Sequence, residues 1–375
     1  MARIFYSMAG EGRGHAARAR TLVESLRRDH ELWLFASDDA YDFLARSYGQ
    51  NSPHAEVRLL RIPGLRYHYT RGRLDLWKSL RSGLQYAVRE MPRLVRAFRQ
   101  RIAAERPDLV ISDFEPSLPR AARAERVPLV SIDHQHVLAA YDLSILPASL
   151  RRYAWLMSLG VRLYYRGQAA TIVSSFYTPP LKRGWKHVRQ VGPLIRPEVA
   201  AACPVSGDYL LSYLRSNTPD AVLETLCTAG MPVKVYGLGE RPERGPLRFY
   251  PIHEQHFVDD LAGCRAVVCA AGNQLLSEAL YLGKPVLAIP ESQHHEQLIN
   301  AHFLQHMGVG RWTLLEQFQP AVLRRFLEQL DEFRERTALL CGRLDGTHEA
   351  LSILNDVLAQ ATQGRETVPS ASAGG

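Results

Sequence analysis

Short apolar bursts punctuate the chain, and between them the apolar residues fall at helical spacing. Residues 4–7, 32–36, 56–61, 107–113, 128–132 and 170–173 read as strands of a first half. Residues 209–213, 233–236, 248–250, 267–269 and 286–289 read as strands of a second. Most are apolar runs rather than alternations, as strands covered on both faces require, and this points to parallel sheets. Residues 16–26 form a helix with Leu22, Val23 and Leu26 inward, and further helices are expected at 74–105, 147–166, 220–229, 274–281, 320–343 and 347–361. Strand alternating with helix predicts an α/β protein of two Rossmann-like domains with parallel sheets. The extended, proline-punctuated stretch 190–197 separates them, with 170–173 as the last strand before it. The expected division is 1–195, 196–345, a terminal helix at 346–362, and a low-complexity, disordered tail at 363–375.

Two strand–turn–helix units carry the candidate chemistry. In the second half, Ala270-Ala271-Gly272-Asn273 follows the strand at 267–269. Small residues let a ligand approach the backbone, and the free amides that open a helix suit a phosphate. Gly283, then Lys284-Pro285, stops that helix. Glu278 is placed to accept from paired hydroxyls such as those of a ribose, and Glu296, Gln297 and Asn300 open the next helix beside the same crevice. An ordinary α/β helix with a solvated Glu278 fits the same pattern. In the first half a glycine-rich turn, Ala9 to His15, joins the first strand to the first helix. A dinucleotide site begins the same way, and Asp38 after the second strand keeps that reading open. His15 ends the turn as either a proton acceptor or a cap, and Asp113, at a strand end, is placed to orient it. Asp133, His134 and His136 follow another strand; with no third ligand in reach by sequence they read as polar cleft residues rather than a metal site.

Composition adds bounds. A chain of 375 residues has room for two cores. The net charge of +8 and pI near 9.3 imply an anionic partner, and nucleotide, phospholipid and nucleic acid all qualify. Five cysteines without a CxxC pair favour a reduced, cytosolic setting. The apolar run before Glu11 is too short for a signal peptide or a membrane span. The loop at 63–73, rich in Gly, Tyr and Arg, suits an anionic acceptor or a nucleic acid, or is simply solvated. In 147–166, Tyr153, Trp155, Leu156, Leu159 and Leu163 are framed by Arg151, Arg152, Arg162 and Arg166. That composition suits a membrane interface, and equally a core helix whose arginines reach solvent by their stems.

The stretch 267–301 resembles the donor-binding half of GT-B glycosyltransferases, especially the UDP-GlcNAc transferase of bacterial peptidoglycan synthesis and its relatives. Phe257-Val258-Asp259-Asp260-Leu261 resembles that family's loop before the strand, where a backbone amide and carbonyl read the uracil, which assigns Val258. Gly272 matches the phosphate turn, with Ala271 and Asn273 beside it as candidate donor-binding residues, Glu278 matches the ribose carboxylate, and Glu296-Gln297 with Asn300-Ala301 resembles the signature that holds donor-sugar hydroxyls. Ala270-Ala271 departs from relatives that carry His, Ser or Arg there, which leaves more of the phosphate contact to backbone amides. The turn ending in Gly14-His15 is similar to the family's acceptor-facing turn, which implies His15 as base and Gly12 and Gly14 at the acceptor cleft; Asp113 to orient His15, and His134 as a cleft residue, are expected from their places at strand ends. The resemblance implies a GT-B fold and an inverting hexosyl transfer from a nucleotide-sugar, UDP-linked, to a hydroxyl acceptor such as a lipid-linked or cell-envelope glycan. It implies no metal, no cofactor and no dedicated nucleic acid partner. It also implies a last helix crossing back to the first domain, and a cytoplasmic protein, peripheral at the inner membrane face through 147–166. A nucleotide-sugar 2-epimerase of the same fold and a nucleic-acid-binding or nucleic-acid-glycosylating protein remain alternatives.

Overall fold

The computed structural model describes residues 1–10, 13–50, 52–64, 69–70, 73–74, 76–164 and 167–366. Among these, a parallel sheet of seven strands comes first: β1 (Arg3–Met8), β2 (Glu31–Ala36), β3 (Val57–Arg61), β4 (Leu109–Asp113), β5 (Leu129–Asp133), β6 (Ala170–Ser174) and β7 (Val188–Val191). A parallel sheet of six follows: β8 (Leu210–Tyr213), β9 (Val233–Tyr236), β10 (Leu247–Tyr250), β11 (Ala266–Cys269), β12 (Val286–Ala288) and β13 (Gly310–Trp312). Their orders are β3-β2-β1-β4-β5-β6-β7 and β10-β9-β8-β11-β12-β13. Each sheet is laid down outward from its first strand and then restarts on that strand's other side. The restart leaves a crevice beyond the carboxyl ends of the first and fourth strands, which is where open α/β sheets take ligands. Every residue of β4, β5 and β11 is buried, as expected of largely apolar strands covered on both faces.

The helices that matter for the site are α1 (Arg13–Leu26), α2 (Leu76–Gln85), α3 (Ala148–Tyr164), α4 (Glu254–Gly263), α5 (Asn273–Tyr281), α6 (His295–His306) and α7 (Thr347–Glu366). Ala350, Leu354, Val357 and Leu358 of α7 share a core with Ile4 and Tyr6 of β1, so the chain returns to the first sheet after completing the second. Another core joins the halves directly, with Val137, Phe176 and Tyr177 packed among Leu211, Ala271 and Phe303.

Several elements depart from expectation. The stretch read as linker from residue 190 begins inside β7, an edge strand whose buried Val188 and Val191 flank the exposed Arg189 and half-buried Gln190. Residues 257–261 lie within α4 rather than in a loop. The helix expected at 320–343 is two, Pro320–Glu328 and Leu330–Ala338, broken at Gln329. The helical stretch from 74 contains a π-helical turn, Tyr86–Glu90, between α2 and the helix Met91–Glu105. The three-residue β13 was too short to stand out. Helix α7 runs to Glu366, past the expected end at 362, and the rest of the expected tail, 367–375, lies outside the described residues. No helix among the described residues is long and apolar enough to cross a membrane. In α3, Leu150, Ala154 and Val161 face inward, whereas Trp155 is 66% exposed and Leu156 and Leu159 are exposed too, so the core-helix reading fails for that face.

Candidate active site

On the first sheet the carboxyl ends of β1 and β4 lie side by side, with Met8 opposite Asp113. Helix α1 starts at Arg13, so His15 sits inside its first turn rather than ahead of it. His15 and Arg18, three residues apart, project from one face of the helix. His15 Nδ1 lies 2.8 Å from Asp113 Oδ1. Arg18 grips the same carboxylate through Nε (2.8 Å, Oδ2) and Nη2 (3.0 Å, Oδ1). Burial would raise the Asp113 pKa, but the charges of Arg18 and His15 outweigh it and hold the group below its ordinary 3.8. An ionised carboxylate only accepts, so Nδ1 carries the ring proton and Nε2 holds the lone pair of the unprotonated ring. The Arg18 guanidinium, 3.2 Å from Nδ1, leaves the carboxylate already compensated. Beneath the cluster, Tyr6 is fully buried and its hydroxyl has no hydrogen-bond partner among the described residues.

Gly10 sits so close to Ser37 that a Cβ there would lie 2.2 Å from Ser37 Oγ, and Gly64 approaches the same hydroxyl as closely. The close approach packs the turns after β1, β2 and β3 together at the sheet edge. Gly14 has open space around it; Gly12 lies outside the described residues. Beside this edge is a cavity of about 470 Å³ lined in part by Gly64, Lys78, Arg81, Gln85 and Tyr86. The Tyr86 hydroxyl reaches Ser117 Oγ at 3.1 Å, next to the end of β4. Of the loop expected at 63–73, residues 65–68 and 71–72 lie outside the described residues.

On the second sheet the turn Ala270–Gly272 leaves β11, and Gly272 caps α5. Gly272 is exposed with nothing in front of it, while Ala271 is buried in the left-handed region at φ 61. That conformation is strained for a residue with a Cβ. The Ala271 carbonyl accepts from Asn300 Nδ2 at 3.0 Å. Cys269, at the strand end, is no nucleophile, since burial pushes its thiol up to about 12.

Glu278 corrects the picture of a solvated or waiting carboxylate. It is 2% exposed and held bidentate by Arg196, with Nε and Nη2 each at 2.7 Å. Gln274 donates to the same carboxylate at 2.9 Å, and Arg196 also binds Glu254 at 2.5 Å. Val258 is corrected as well. Inside α4 its amide and carbonyl are committed to the helix and its side chain is in the core, so no backbone group is left to read a base. The loop at this strand end is 251–253, between β10 and α4.

Helix α6 joins the halves. Asn300 is fully buried, and its Oδ1 lies 3.2 Å from His134 Nε2 and accepts from the Tyr177 hydroxyl at 3.1 Å. Tyr177 stacks on Phe303 and Tyr153 on His295. His134 is therefore a buried contact between the halves rather than part of an open cleft. His136 turns away to pair with Asp133 at 2.8 Å, so these two histidines share no site. Glu296 is exposed, whereas Gln297 is buried with its Oε1 accepting from the Glu291 amide at 3.1 Å. Helix α1, which carries His15, packs against α5, which begins at the Gly272 turn. The helices that follow the two carboxyl-edge turns thus touch across the halves. Sequence reasoning missed Arg18, although its spacing from His15 was visible, and Arg196, a lone arginine before a proline with no local signal.

The model of glycosyl transferase family 1 matches residues 2–331. A glycosyltransferase of Methanosarcina acetivorans, itself uncharacterized, is 24% identical, with 97% of this chain and 98% of that protein covered. The structure of Phytolacca americana UGT2 complexed with UDP-2fluoro-glucose and pterostilbene is similar at a TM-score of 0.68 and 13% identity, covering 96% of this chain and 99% of that one. Acinetobacter baumannii MurG is similar at a TM-score of 0.63 and 14% identity, covering 95% and 100%. With two parallel sheets in Rossmann order and a family match over most of its length, the chain belongs to glycosyl transferase family 1 and is a glycosyltransferase of GT-B fold.

Proposed function

We propose that this enzyme moves a sugar from a UDP-linked donor to a hydroxyl acceptor with inversion at the anomeric carbon. The observation that carries this reading is the packing of α1, whose first turn bears His15, against α5, which begins at the Gly272 turn. The donor's diphosphate lies at the Gly272 turn, where backbone amides and the positive end of α5 meet it. Glu278, steadied by Arg196, accepts from the ribose hydroxyls, and Glu296 and Gln297 bind the sugar. The acceptor enters beside Gly14 from the cavity flanked by Tyr86. Its oxygen attacks the anomeric carbon as the bond from that carbon to the diphosphate breaks. The acceptor's proton passes to His15 Nε2, and Asp113 holds the ring through Nδ1. The UDP-2fluoro-glucose bound in the similar Phytolacca americana UGT2 supports the choice of nucleotide.

The face of α3 bearing Arg151, Arg152, Trp155, Leu156 and Leu159 rests on an anionic membrane surface and brings a lipid-linked acceptor to the enzyme. These residues recur at helical spacing on one exposed stripe, which supports that reading. A panel of nucleotide-sugars in a thermal-shift assay tests the donor, since a ligand bound only by the native state raises Tm. The anomeric configuration of the product, read by NMR, tests inversion. A panel in which UDP-sugars give no shift overturns the donor assignment, and a product of retained configuration overturns the mechanism.

A further inference from the structure

We propose that the acceptor is an anionic sugar, a sugar acid or a sugar phosphate, whose negative group meets Arg81 and Lys78 in the cavity beside the first sheet; this rests on the acceptor side of the reading above. The cavity, about 470 Å³, falls within the range of small-molecule pockets, roughly 300–1,000 Å³. One wall of it is helix α2 and the π-helical turn Tyr86–Glu90 that follows. Lys78, Ser82 and Gln85 recur at helical spacing along that wall, with Arg81 beside them. In an unbroken α-helix Arg89 would come next on this face. The π-helical turn inserts one extra residue, so the half-buried Glu90 lines the cavity and Arg89 is left exposed, off the wall. Such turns are rare and recur at functional sites.

The wall is therefore graded. Its first turns present two cations, its middle presents Ser82 and Gln85, which donate and accept, and its end presents a carboxylate. A rise of about 1.5 Å per residue sets Arg81 and Glu90 roughly 13 Å apart along the axis, so the two charges stand at different ends of the wall. Between residues 76 and 104 seven side chains are basic and one, Glu90, is acidic, in a chain whose net charge is +8. The helices behind the cavity thus carry most of the positive excess, a field that draws anions to its mouth. The other end is anchored near the proposed base. The Tyr86 hydroxyl is 3.1 Å from Ser117 Oγ, just past β4, the strand that ends in Asp113. A sugar bound with its anionic group at Arg81 points its other end toward this strand end, with hydroxyls donating to Gln85 and Glu90 on the way. A neutral sugar forgoes the charge-assisted pair that a carboxylate or a phosphate forms with a guanidinium.

Saturation-transfer NMR of the full chain with methyl glucoside, galactoside and mannoside, beside the matching uronates and 6-phosphates, tests this. Wild type should bind the acids more tightly than the neutral sugars, and the uronate and phosphate arms separate the two sources of charge. In Arg81→Gln, at an exposed position, that preference should fall by about fivefold or more with UDP affinity and melting temperature unchanged. Glu90→Gln should weaken acids and neutral sugars alike and keep the preference. Wild type that binds acids no better than their neutral counterparts, or a preference untouched in folded Arg81→Gln, overturns the inference. Inorganic phosphate that binds as tightly as the sugar phosphates reduces the cavity to an anion site and overturns the sugar. Acids that bind but gain no sugar from a bound UDP-sugar, while neutral sugars do, overturn their role as acceptor. Wild type that keeps the preference but binds no UDP-sugar overturns the donor reading and leaves this cavity standing.

Discussion

Asp113 is shared between a histidine and an arginine, so substitutions around it should differ in kind. His15→Ala removes the proton acceptor but leaves the Asp113–Arg18 ion pair intact. Turnover should fall by roughly 10²–10⁴ with UDP affinity and melting temperature near wild type. Asp113→Asn strips Arg18 of its buried counter-charge, which costs about 3–5 kcal/mol of stability in addition to turnover. A folded, active His15→Ala enzyme would move the base elsewhere. Glu278 calls for a sharper probe, because deleting it also frees Arg196. If it holds the ribose hydroxyls, wild type should prefer UDP to 2′-deoxy-UDP by about 1–3 kcal/mol, and Glu278→Gln should lose much of that preference. Equal binding of the two nucleotides by wild type would leave Glu278 a purely structural partner of Arg196. The places of His15, Asp113 and Gly272 at a helix start, a strand end and a turn were legible, because short turns after buried strands leave a local pattern. The arginines that hold Asp113 and Glu278 were not. Arg18 and Arg196 are defined by what lies far along the chain, 95 and 82 residues away.

Among the elements, buried parallel strands were the most legible, since both faces must be apolar. The edge strand β7 was lost because its exposed Arg189 interrupts that signal. Helix α4 stands where the resemblance implies a loop, and its own pattern accounts for this: Phe257, Val258, Leu261 and Ala262 are buried at helical spacing. For α3 the pattern told that a helix with an aromatic and basic face exists, but not which side the core takes. Trp155 settles the side, being largely exposed next to Arg151 and Arg152. Wild type should float with anionic liposomes at low salt and release as salt rises. The variant Trp155→Glu/Leu156→Glu should remain in the pellet fraction with an unchanged melting curve, as expected for exposed positions. Wild type that stays unbound at low salt would reject the membrane role of this face.

For the molecule as a whole, two domains of one type were legible from the alternation of strands and helices, but how they meet was not. That contact depends on residues whose partners lie in the other half, and His134 with Asn300 is the case in point. The His134 ring lies between Ser174 O at 3.2 Å and Asn300 Oδ1 at 3.2 Å, two acceptors that favour the imidazolium, as does the charge of Glu296. Burial opposes them and is the larger effect, aided by the charge of Arg18, so the His134 pKa falls below its ordinary 6.5. The sign of the linkage follows. The unfolded chain takes up this proton near pH 6.5 while the folded protein still refuses it. Stability contributed here is therefore level above that pH, declines as pH drops through 6.5, and levels again below the folded pKa. The decline is at most ~1.4 kcal/mol per pH unit for one proton. In His134→Gln this component should vanish. Urea titrations of wild type and variant at a series of pH values from about 8 to 5 would show a wild-type curve that loses ground to the variant on acidification. Parallel curves for the two proteins would mean that His134 titrates alike folded and unfolded, and the contact between the halves would then carry no acid sensitivity of its own.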